Sequence, residues 1–138
     1  MRAVLTMAAI GLSAVVAGVP VAAAEPMTVT PPEVSPGDAA GMVFKDDPTI
    51  VKAYPAHIAS WSRSPNPNAL DVHFMSGAPE CHGVHPSAKE TDTTVIVNVD
   101  AGVPPGAVGK ACAMFAVFAT VEVPLKAPLG DRKVLATY

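Results

Sequence analysis

Fifteen prolines are spread through the 138 residues of this chain. Each removes a backbone donor, fixes its own φ and pushes its predecessor out of the helical region. Between Met42 and Asn68 the breakers Pro48, Pro55, Pro65 and Pro67 leave only short apolar groups, namely Val43 with Phe44, Ile50 with Val51, and Ile58 with Trp61. No window there is long enough for a helix. Where a clear period does appear, it is that of strands. Leu70, Val72 and Phe74 alternate with Asp71 and His73; Val95, Val97 and Val99 share one face while Asn98 and Asp100 share the other. Both patterns describe half-buried strands.

Residues 90–93 supply a turn before the second of these strands, so residues 84–89 are expected to pair with it as a hairpin. Residues 103–109 read as a loop. The run 111–125 is ambiguous at its start, but residues 120–125 alternate strictly, so a strand is extended through most of it. Residues 127–131 form a turn and residues 133–137 a last strand. The expected fold is mainly β, a small antiparallel β-sandwich or curled sheet. An α+β arrangement with one short helix near residues 113–119 is the alternative. The Asp131–Lys133 run is expected to be exposed at a strand entry, and Asp46 and Asp47 to start a turn at Pro48.

The apolar run from Ala3 to Val19 carries no charge and follows one cation, Arg2; after Pro20 come Ala22, Ala23 and Ala24. This is the layout of a secretory signal peptide, residues 1–24, with cleavage after Ala24. The run is shorter than the ~20 residues of a spanning helix, so no membrane span is expected in the mature protein. Residues 25–43 contain four prolines and few large apolar groups, and read as a flexible linker. Residues 44–138 are then the folded domain. Its two cysteines, Cys81 and Cys112, would meet an oxidising compartment, where an even count points to a disulfide. They are too far apart in sequence for a redox Cys-x-x-Cys pair.

The chain carries nine Lys and Arg against twelve Asp and Glu, a net charge of −3. That balance excludes a nucleic-acid binder with a basic face. No G-x-S-x-G elbow, Ser-x-x-Lys pattern or phosphate-binding glycine loop is present, so no catalytic residue is assigned. The densest candidate chemistry lies at His73, Met75, His82 and His85. Imidazole and thioether together suit copper, and imidazole also suits zinc, so an extracytoplasmic copper or zinc module is one reading. The other reading is that these are polar residues flanking a disulfide, with no cofactor. Trp61, the single tryptophan, is expected to anchor the loop-rich segment on the sheet, with an exposed ligand platform as its alternative role.

The runs SWSRSPNPNALDVHF, GAPECHGVHPSAKETDTTVIVNVDAG and GKACAMFAVFATVEVPLKAPLGDRKVLA, spanning roughly residues 44–137, resemble small exported proteins of actinobacteria, mycobacteria among them. The paired cysteines, the hairpin turn beginning at Glu90 and the closing PLGDR strand carry the resemblance. It implies an extracytoplasmic, disulfide-closed domain and brings no chemistry with it. Taken together, these features predict a secreted or cell-envelope-associated, non-catalytic binding domain with an envelope or extracellular partner.

Overall fold

The longest of the described strands organises the rest. The computed structural model describes residues 18–39 and 41–138. In it the alternating segment Thr94–Val103 forms β7, whose residues Val95, Val97, Val99 and Ala101 all point into the core. The other strands are β1 (Thr28–Val29), β2 (Met42–Phe44), β3 (Val51–Pro55), β4 (Ile58–Arg63), β5 (Ala69–Ser76), β6 (Gly83–Glu90), β8 (Val117–Pro124) and β9 (Lys133–Thr137). One edge of β7 is paired along its length by β6, as a hairpin whose turn is closed by Thr91 N–H donating to the Thr94 carbonyl. Its other edge is shared. Residues 94–97 pair in parallel with β9, and residues 100–103 pair antiparallel with β3. β1 adds to the outside of β9, completing a five-stranded sheet.

The second sheet runs β2-β8-β5-β4. In its centre Leu70, Val72 and Phe74 of β5 sit directly opposite Val123, Val121 and Ala119 of β8, and all six are buried. They pack against the inward valines of β7 in one continuous core, which Trp61, Ile58 and Phe44 also enter. The fold is thus mainly β, two curled sheets around one core, with no α-helix among the described residues. Beyond Phe44 the chain leaves the second sheet for the first: Asp46 bridges Val84 of β6.

Several expectations are corrected. Residues 25–43, read as a linker, are tied to the sandwich at three places. β1 pairs with β9, Glu33 bridges Trp61, and β2 pairs in parallel with β8. Hydrogen bonds from Trp61 N–H to the Pro32 carbonyl and from Val34 N–H to the Trp61 carbonyl protect the open edge of β4. The Met42–Asn68 segment, expected to be loop-rich, supplies three strands. In the run 111–125 the strand begins only at Val117; residues 110–116 are irregular, with neither the extended strand nor the helix near 113–119. Trp61, only 6% exposed, is a core residue rather than an exposed platform. Of the expected signal segment, residues 1–17 lie outside the described residues. No helix among the described residues is long and apolar enough to cross a membrane.

Candidate functional site

At one end of the sandwich the β5–β6 turn meets the long β7–β8 connection, and Cys81 and Cys112 form a disulfide between them, with Cα atoms 6.0 Å apart. The turn is tight for a local reason. The N–H groups of Cys81 and His82 both approach the Ala78 carbonyl at 3.0 Å, and the His82 ring lies over Gly77. A Cβ at position 77 would stand 2.2 Å from that ring, so any other residue would displace the His82 side chain from its place. The β7–β8 connection begins with a single 3₁₀ turn, Pro105–Ala107, started by proline and anchored by buried Ala107. It then runs exposed from Val108 to Ala116.

Along this stretch the side chains contradict ordinary core logic. Met114 is 99% exposed, and Val108 and Phe115 are also in solvent. Phe118, at the second position of β8, is 72% exposed and sits directly opposite exposed Met75 of β5 on the outer face. Two of the four phenylalanines of an aromatic-poor chain are therefore on the surface within four residues of each other. Single exposed apolar residues need no explanation, but several large ones on one short segment make it a candidate site. Beneath Met114 and Phe115 lies an open groove of about 640 Å³. Lys52, one of its exposed lining residues, has φ 54°, a left-handed conformation uncommon for a non-glycine residue, within the irregularity of β3 between Val51 and Tyr54.

The proposed metal ligands are not brought together. His73 and Met75 lie on the outer face of the β5 sheet, whereas His85 lies on the outer face of β6 in the opposite sheet, with its Nδ1 2.6 Å from Asp46 Oδ1. His82 belongs to the disulfide turn, its Nδ1 3.1 Å from the Ala78 carbonyl oxygen. Among the described residues no group of three or more His, Cys, Asp or Glu is placed to hold a metal ion.

His73 instead forms a closed polar cluster. Its Nε2 is 2.9 Å from Ser62 Oγ and its Nδ1 2.9 Å from Thr120 Oγ1. A neutral imidazole donates through one nitrogen and accepts through the other, so the two hydroxyls take opposite roles. Burial holds the His73 pKa below its ordinary value, against the pull of nearby Asp71. Asp71 is pushed the other way, first by burial and then by Glu122 directly across the strand pair. A hydroxyl–imidazole contact is one requirement of a serine nucleophile. Here Ser62 is closed to solvent at 1% exposure, and the second ring nitrogen meets a hydroxyl where a triad has a carboxylate. The cluster satisfies buried polar atoms, and although His73 also lines a shallow pocket beside Ser60 and Phe118, the hydroxyl of Ser62 does not.

Comparison with known proteins adds nothing to this geometry: no family model matches the chain, and neither the curated proteins nor the solved structures contain a match. Cys81, His82 and Cys112 of the sequence-based candidates line the groove, but its apolar lip was absent from them. The available signal was Ala111–Ala116, where Met114 and Phe115 are consecutive and cannot both face the core of a strand.

Proposed function

We propose that this chain is a non-catalytic binding domain of the cell envelope or extracellular fluid, exported by a signal peptide cleaved after Ala24, and that it engages its partner through the apolar lip at Met114 and Phe115. One observation carries this reading: large apolar side chains stand in solvent on a segment without strand or helix pairing that a covalent bond fixes to the neighbouring turn. A loop that only connected β7 to β8 would gain nothing from such residues. A disulfide holds the lip in place before a partner arrives, which lowers the ordering cost of association. The disulfide is also consistent with an extracytoplasmic setting.

The test is partition of the protein between isolated envelope fragments and solution. The variant Met114→Ser/Phe115→Ser is expected to lose retention about tenfold, a typical effect of removing central apolar contacts. Lys133→Glu, at the opposite end, should be retained like the parent. Both variants should keep the parent's stability within about 0.5 kcal/mol in thermal melts, because the altered side chains are exposed. Equal retention of all three proteins would overturn the reading.

A further inference from the structure

The groove under the lip has a chemistry of its own. Its walls are apolar, with Val103, Val108 and Phe115 among them, and two of the chain's six lysines, Lys52 and Lys110, line it. No aspartate or glutamate does, although acidic residues outnumber basic ones over the whole chain. The carboxylate closest in sequence to a lining residue is Glu80, in the disulfide turn, and it is not part of the wall. His82, which also lines the groove, already has its Nδ1 directed at the Ala78 carbonyl. The volume of about 640 Å³ falls within the ~300–1,000 Å³ of small-ligand sites.

We infer that this groove binds a single-chain fatty acid, with the carboxylate held by Lys52 and Lys110 and the hydrocarbon chain lying along Val103, Val108 and Phe115 beneath Met114. The inference rests on the binding role proposed above and names its ligand. Lysine suits the mouth of such a site because its methylene stem lies on apolar surface while the ammonium stays at the water boundary. Thioether and phenyl side chains adapt to a flexible chain without demanding a shape. The left-handed backbone at Lys52 departs from the regular course of β3, as residues at ligand clamps often do. A ligand with several hydrogen-bonding groups would find few partners here, whereas a fatty acid has its polar atoms at one end.

The experiment is a fluorescence titration of the purified exported protein with cis-parinaric acid, kept below its micelle concentration and displaced by oleate or by methyl oleate. Saturable binding is expected, with oleate displacing the probe about tenfold better than the ester. Lys52→Asn/Lys110→Gln should weaken oleate about tenfold and leave the ester unchanged; asparagine at position 52 also tolerates the left-handed backbone. Met114→Ser/Phe115→Ser should weaken both. Equal displacement by oleate and ester would overturn the carboxylate assignment while leaving the apolar lip as a binding surface. Absence of saturable probe binding, with the lip variant still losing envelope retention, would overturn the fatty acid and keep the binding role. Loss of neither probe binding nor envelope retention in the lip variant would overturn both. Binding to anionic phospholipid vesicles without binding of the monomeric probe would replace the groove ligand with a bilayer surface.

Discussion

At the end of the sandwich where β8 stops and β9 starts, one guanidinium ties the loops together. Arg132 donates to the carbonyls of Thr91, Ala127, Pro128 and Leu129 and to Glu90 Oε1. Glu90 in turn accepts from the backbone N–H groups of Lys126 and Ala127. Both side chains are nearly enclosed, at 11% and 12% exposure, and Leu129 is buried beside them. At the opposite end the tie is covalent, and the apolar side chains face outward. A network of directional hydrogen bonds spends the carbonyls of residues 91 and 127–129 and the N–H groups of residues 126 and 127 on the loops themselves. A disulfide fixes two points and leaves the segment around Cys112 free to present Met114 and Phe115. The comparison separates an end closed by its own polar groups from an end that leaves large apolar side chains in solvent.

The largest test of this contrast is Arg132→Ala. It leaves Glu90 in a nearly enclosed site without its charged partner and the carbonyls of Thr91, Ala127 and Pro128 without the guanidinium donor, while that of Leu129 keeps the backbone N–H of residue 132; it should cost about 3 to 5 kcal/mol, measured by urea denaturation. A loss under about 1 kcal/mol would mean that the loops are held by Leu129 and the prolines alone. Next comes Cys81→Ser/Cys112→Ser. Closing a loop with a sequence separation of 31 residues is worth about 3 to 4 kcal/mol in the chain-entropy model, and the variant should become sensitive to proteolysis within residues 108–116 first. Unchanged protease resistance there would show that the lip is held by packing and not by the bridge.

The smallest effect is set by pH. Burial alone would raise the Glu90 pKa, but the N–H groups of Lys126 and Ala127 and the Arg132 guanidinium overcome it and hold the carboxyl below its ordinary value. The unfolded chain therefore binds this proton more readily than the folded one. Its stabilisation is complete above the ordinary carboxylate value of 4.5 and is lost as pH falls through the lowered folded value. The protection factors of the Lys126 and Ala127 amides, taken relative to the intrinsic exchange rate at each pH, should fall on acidification before those of the disulfide turn do. A parallel fall at both ends would remove the distinction between them.

Legibility in the sequence followed the regularity of the backbone. β5, β7 and β9 were visible because each is an unbroken strand with one face in the core, and alternation is what that geometry imposes on composition. β4 was hidden by its irregularity between Ile58 and Ser60, which puts the inward residues Ile58 and Trp61 three positions apart instead of two. β3 is exposed along its whole length and leaves no apolar period at all. β1 and β2 are too short to alternate and exist only because long-range partners are available. At the site, the cysteine count disclosed the bridge, but composition cannot distinguish Met and Phe in a core from Met and Phe on a lip. The Asp131–Lys133 run was expected to be solvated, and Arg132 is enclosed only because carbonyls from positions 91 and 127–129 converge on it.

The shared edge of β7 has a consequence for how the molecule comes to be folded. Half of that edge is filled by β9, the last of the described strands in chain order, and β9 then receives β1, the first of them. The central strand thus stays incomplete, and the earliest strand stays without its partner, until residues 133–137 are present. A chain arranged in this way gains little from folding piecemeal, and pairings so distant in sequence make for slow closure. The first and last strands behave as a latch: deleting five residues at the C-terminal side would unfasten the N-terminal side as well.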